Sequence, residues 1–180
     1  LMDKKADPGQ KDAEGLTPAF LAAFSGHGKV LQTLAKRGSL SSERDAQGAT
    51  PLQWAATQGH EAVVDFLLQH GISAATKNRQ GGGPVSAAAT MGHFEILHRL
   101  LEWRGDIEEA DEQGMRPLHW ASLHGHALVV GHLLRLRAQH EINSAGQRGL
   151  DLAQAYSKHE VVELFSNKRK RKRHRSKSDL

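Results

Sequence analysis

The chain has 180 residues, a length that suits one domain, and contains no cysteine, which excludes a disulfide framework and a thiolate metal site. Its net charge of +4 is lopsided: residues 168–180 hold eight Lys+Arg and one Asp, whereas residues 1–167 hold 16 Lys+Arg against 19 Asp+Glu, a net −3. The body is therefore not a basic nucleic-acid binder, and no apolar run approaches the ~20 residues that span a bilayer.

Residues 1–11 are polar and lack a hydrophobic signal region, so a disordered lead-in to a soluble, intracellular protein is expected. The chain opens on Leu1-Met2, which leaves a longer parent protein open. From residue 12 a unit of 33 residues begins to repeat. Pro18, Pro51, Pro84 and Pro117 mark its period. A Gly precedes each Pro by three residues (Gly15, Gly48, Gly81, Gly114) and an Ala follows by four (Ala22, Ala55, Ala88, Ala121). Gly-His pairs follow at Gly26-His27, Gly59-His60, Gly92-His93 and Gly125-His126. A polar residue opens each unit: Asp12, Asp45, Asn78, Asp111 and, one residue early, Asn143. A fixed period of this size predicts a solenoid, in which each unit buries its apolar face against its neighbours. Such an array also suits the low aromatic content of 5%.

Each Pro fits the first turn of a helix, where its missing N–H is no loss. Thr17 and Thr50 stand before it as N-caps. The Gly-His step reverses the chain, because Gly enters left-handed conformations cheaply. Second helices follow with apolar residues at helical spacing: Val63, Val64, Phe66, Leu67 and Leu68; Ile96, Leu97, Leu100 and Leu101; Val129, Val130, Leu133 and Leu134. Gly38 and Gly71 end two of them.

These residues resemble the ankyrin repeat, whose pattern carries a Thr-Pro-Leu-His-x-Ala core. The clearest copies are Thr50-Pro51-Leu52-Gln53-Trp54-Ala55 and Arg116-Pro117-Leu118-His119-Trp120-Ala121. The resemblance covers residues 12–167. It implies an all-α repeat solenoid of stacked helix–turn–helix units with projecting β-turn fingers. Five repeats start near 12, 45, 78, 111 and 143, and a disordered basic tail occupies 168–180. In this frame Trp54 and Trp120 are expected to pack in the core.

Departures from the pattern come next in chain order. The third unit has Gly83 in the capping slot, after Gly81 and Gly82, and Ala87 where its neighbours carry Trp54 and Trp120. A lost cap costs ~1 kcal/mol, so a soft joint is one reading and drift in a tolerant repeat the other. The fourth unit contains Arg104-Gly105-Asp106, which the repeat's own loop accounts for better than an integrin-binding role; its neighbour Trp103 is unusual at a helix end. In the fifth unit Gly149 replaces Pro, and Ser157-Lys158 replaces Gly-His, as suits a capping repeat.

Twelve histidines raise the question of a metal. His27, His60, His93 and His126 recur with the period and His119 fills a pattern position, which leaves His124 and His132 without Cys or paired carboxylates in ligand-like spacing. No metal or cofactor is expected. No phosphate-binding loop, nucleophile elbow or zincin motif occurs, so the chain is not read as an enzyme.

The resemblance implies partner binding through the fingers and the concave inner-helix face. Carried over by position, the candidate contacts are Phe24, Gln47, Gln58, Arg79, Met91, Glu112, Met115, Leu123 and His124. Phe24, Met91, Met115 and Leu123 are apolar at positions expected to face solvent, where a contiguous patch marks an interface and scattered residues do not. The expected role is an adaptor or regulatory subunit, monomeric outside its complexes, with a regulatory module that docks an enzyme as an alternative.

The tail carries Lys168, Arg169, Lys170, Arg171, Lys172, Arg173 and Arg175, which resemble a nuclear-localisation signal read by an import receptor. Nuclear localisation, with shuttling through the cytoplasm, follows as the expectation. Nucleic-acid binding by the tail is the less favoured reading, and a membrane partner is not expected. Ser176 and Ser178 have Arg at −3, a spacing used by basophilic kinases. If Leu180 is a natural terminus, Ser178-Asp179-Leu180 resembles a PDZ ligand.

Overall fold

The computed structural model describes residues 7–40 and 44–166. Among these residues five inner helices begin at or near the periodic Pro: α1 (Pro18–Phe24), α3 (Pro51–Gln58), α5 (Pro84–Met91), α7 (Pro117–His124) and α9 (Gly149–Ala155). Five outer helices alternate with them: α2 (Gly28–Lys36), α4 (Glu61–Gln69), α6 (Phe94–Glu102), α8 (Ala127–Arg135) and α10 (residues 159–166). Neighbouring inner helices pack closely, and neighbouring outer helices meet more loosely. The array is therefore an all-α solenoid. Among the described residues there is no strand, and no helix is long and apolar enough to cross a membrane.

One apolar core runs the length of the stack. Leu31, Leu52, Leu67, Leu97, Leu100 and Leu133 are fully buried in it, each contributing about 1.5–3 kcal/mol by leaving water. The alanines of the inner helices (Ala22, Ala55, Ala88, Ala121) are buried between helices, where a larger side chain has no room.

The same polar device opens every finger. Asp12, Asp45, Asn78, Asp111 and Asn143 each accept two backbone N–H groups, from two and four residues on, at 2.8–3.0 Å. This is the self-bonded Asx turn. Adjacent fingers are stitched by backbone bonds: Arg79 N–H donates to the Gln47 carbonyl, Glu112 to Gln80 and Ser144 to Gln113, all at 2.9 Å.

The periodic histidines tie each repeat to the one before. Nε2–H of His60 donates to the Phe24 carbonyl at 2.8 Å, His93 to Thr57 at 3.2 Å and His126 to Thr90 at 2.8 Å. The Gly of the Gly-His pair has two reasons to be Gly. Gly92 sits at φ +76, and a Cβ there would lie 2.5 Å from the His126 ring. In the fifth repeat the Lys158 stem packs in the histidine's place, with its Cδ 2.8 Å from where a Gly125 Cβ would stand.

Two expectations about helix caps change. Thr50 Oγ1 accepts from Gln53 N–H at 3.4 Å, but Thr17 makes no side-chain cap bond. At Gly83 the missing cap is replaced from the loop that follows α6. Glu109, 1% exposed, reaches into the start of α5 and accepts Ser86 N–H at 2.5 Å. The lost cap at Gly83 is thereby made good by a side chain from elsewhere in the fold. Gly83 is what makes the reach possible, because a Cβ there would stand 2.4 Å from Glu109 Oε2 and 2.6 Å from the Thr76 carbonyl oxygen. Burial pushes the Glu109 carboxyl above its ordinary range, while bonds from Ser86 act in the opposite direction.

Candidate partner-binding surface

The concave floor is built from the solvent-facing slots of the inner helices. Leu21, Trp54, Ala87 and Trp120 occupy one slot in successive repeats; Phe24, Thr57, Thr90 and Leu123 the next; Ser25, Gln58, Met91 and His124 a third. Phe24 and Met91 are 41% and 48% exposed. Leu123 is half-buried, and His124 is exposed and stacked between Trp120 and His126.

Trp54 and Trp120 are not core residues. Both are half-buried on this floor, held by an indole N–H bond to the Asx-turn carboxylate: Trp54 to Asp45 at 2.9 Å and Trp120 to Asp111 at 3.1 Å. Phe24 lies edge-on to Trp54 with centroids 5.1 Å apart. Between them opens a cleft of about 220 Å³, lined by Phe24, Ala49, Gln53, Trp54, Thr57 and Gln58.

Of the other expected contacts, Gln47, Arg79 and Glu112 are exposed on the fingers, and Gln58 is exposed on the floor. Met115 is not a surface residue. It is 6% exposed, and its sulfur accepts from Asn143 Nδ2 at 3.3 Å, because the tight turn at Gly114 folds it under the next finger. Residues 168–175 lie outside the described residues.

The histidines His119, His124, His126 and His132 do not converge. His119 is buried: its Nδ1 accepts Arg116 N–H, and its Nε2–H is shared between the Glu141 and Gln147 carbonyls at 3.0 and 3.1 Å. Burial pulls it below its ordinary pKa. His132 lies on the convex side, 3.4 Å from His98 Nδ1, and is also pulled down, chiefly by desolvation and then by His98 and Arg135. Asp65 and Arg99 hold the equivalent pair of positions one repeat earlier, as an ion pair at 2.6 Å. No group of three or more metal-ligating side chains occurs among the described residues.

Sequence reasoning missed the roles of Glu109 and of the Asp45–Trp54 and Asp111–Trp120 pairs. The nine-residue Asp-to-Trp spacing, repeated twice, was the available signal for the pairs.

Family models described as ankyrin repeats (3 copies) and ankyrin repeats (many copies) match residues 1–78 and 85–130. The chain belongs to the ankyrin-repeat family. Ankyrin repeats mediate protein–protein interaction and are typically not catalytic. No curated protein matches the chain.

Proposed function

We propose that this protein is a non-enzymatic adaptor or regulatory subunit that holds a partner protein between its fingers and its concave floor. The observation that carries the reading is an apolar stripe along the inner helices, where Leu21, Phe24 and Met91 stay 49%, 41% and 48% exposed beside the half-buried Trp54 and Trp120. Apolar groups kept in water beside an aromatic cleft are a common mark of an interface. The sequence Lys168-Arg169-Lys170-Arg171-Lys172-Arg173 supports a separate role for the tail as a nuclear address.

The test is to image and affinity-purify the full chain beside a chain ending at residue 167. The expected result is nuclear full-length protein, non-nuclear truncated protein, and the same partners from both lysates. Loss of the partners on truncation would make the tail the binding element and overturn the division of labour. If that binding also falls steeply with salt and follows nucleic acid, the nucleic-acid reading takes its place.

A further inference from the structure

The inner helices α1, α3, α5 and α7 read PAFLAAF, PLQWAATQ, PVSAAATM and PLHWASLH: none contains Asp, Glu, Lys or Arg. The outer helices differ, with Lys29, Glu61, Asp65, Glu95, Arg99 and Arg135 among their residues. A solvent-facing floor would normally share the charges of the surface around it. The carboxylates that touch its two indoles, Asp45 and Asp111, are already engaged with turn N–H groups as well.

Several of the floor's other polar groups are also occupied. Thr57 and Thr90 donate their hydroxyls to the carbonyls of Gln53 and Ser86, at 2.9 and 2.8 Å. The carbonyls of Phe24, Thr57 and Thr90 accept from the periodic histidines. Ser25, Gln58 and His124 remain exposed in the third slot, and the Gln58 amide stands at the edge of the Phe24–Trp54 cleft.

We propose that the concave floor receives an uncharged, apolar stretch of a partner polypeptide, which seats one large apolar side chain in the Phe24–Trp54 cleft and lies along the floor toward Met91. The proposal deepens the partner-binding reading and rests on it. Charge decides the chemistry: a charged partner residue buried on this floor would lose its water and find no counter-charge, a cost of several kcal/mol. The same argument disfavours phosphate, which calls for cations, since these inner helices carry no Lys or Arg. Size narrows the occupant. At about 220 Å³ the cleft is smaller than the roughly 300–1,000 Å³ of small-molecule sites, and suits one anchoring side chain. The Gln58 amide is positioned to take a backbone group beside that anchor.

The probe is a random peptide library displayed on phage and panned against the full chain, at physiological and at raised salt. The expected ligands carry an aromatic or large aliphatic anchor with uncharged neighbours, and their affinity is insensitive to salt. Phe24→Ala weakens them about tenfold or more, as loss of a hot-spot contact does. Gln58→Glu and Gln58→Lys, at an exposed position that leaves the core alone, weaken them alike. Thermal unfolding confirms that each variant is folded.

If one of the two Gln58 variants strengthens binding while the other weakens it, the floor reads charge and the proposal is overturned. Displacement of the peptide by duplex DNA has the same meaning. Charged ligands that depend on Arg79 or Glu112, and not on Phe24, would overturn the floor proposal and leave the protein-binding reading intact. If nothing is enriched from the library, both readings fail.

Discussion

The joint between the third and fourth repeats and the joint between the fourth and fifth fill one slot by opposite means. At the later joint His119 on α7 reaches forward, donating to the Glu141 and Gln147 carbonyls of the next loop. At the earlier joint the equivalent residue is Ser86, too short to reach, and the next loop reaches back: Glu109 accepts Ser86 N–H. Gly83 leaves the space. What the two joints share is that a side chain meets backbone groups: Ser86 N–H at the earlier one, the Glu141 and Gln147 carbonyls at the later. Which side supplies the partner is free to vary.

The largest effect expected from breaking this comparison is at Glu109. Glu109→Ala leaves Ser86 N–H unpaired in the core and opens a cavity, and should cost about 3 kcal/mol in urea unfolding. His119→Ala removes bonds to two carbonyls nearer the end of the stack, and should cost about 2 kcal/mol. A loss below about 0.5 kcal/mol for either would mean that water replaces the side chain and that the joint does not depend on it.

Gly83→Thr sharpens the contrast, because it restores the residue that the repeat pattern favours. It should nonetheless destabilise by about 2 kcal/mol, since its Cβ would stand 2.4 Å from Glu109 Oε2. Combined with Glu109→Ala it should cost clearly less than the sum of the two changes, because each relieves the other's defect. Additive costs would show that the two residues do not share the space.

Much of this architecture was legible in the 33-residue ruler, which located the helices, the fingers and the capping unit. The joint was not legible, for a physical reason. Alignment by period places Glu109 opposite Thr76 and Ile142, two residues with nothing in common with it. Its partner stands at the start of α5, 23 residues earlier, and its meaning appears only when Gly83, Ser86 and Glu109 are considered together. Trp54 and Trp120 misled in a similar way: ring size suggests the core, while the indole N–H requires an acceptor, and Asp45 and Asp111 offer one only at the rim. Of the candidate surface, Phe24, Met91 and the finger residues follow from slot position, whereas Met115 was hidden by a turn that bends it under its neighbour.

Acidity should move the two joints in opposite directions. The Glu109 carboxyl is raised above its ordinary 4.5, so its contribution is full below that pH and is lost as the pH rises through the folded value. The His119 imidazole is lowered from 6.5, so its contribution is full above that pH and is lost as the pH falls through the folded value. Each parent chain is best compared with its own isosteric variant across the range between those two ordinary values. The stability advantage of the parent over Glu109→Gln should shrink as the pH rises, and its advantage over His119→Gln should grow. Parallel slopes would remove the electrostatic part of the comparison.

The smallest effect is the most useful control. Arg104 and Arg137 occupy one slot at the two joints, and both take left-handed backbone at φ 63, where the earlier repeats have Gly38 and Gly71 at φ 69 and 82. A non-glycine residue there is strained by about 1–2 kcal/mol. Glycine relieves the strain but adds freedom to the unfolded chain, so the net gain should be under about 1 kcal/mol. Arg104→Gly and Arg137→Gly should therefore stabilise by similar amounts, since both guanidinium groups are exposed and the backbone strain is the same. Equal gains would locate the difference between the joints in the Glu109 and His119 slot. If only Arg137→Gly stabilises, the Arg104 side chain itself supports the third-to-fourth joint, and part of what is assigned to Glu109 belongs to that residue.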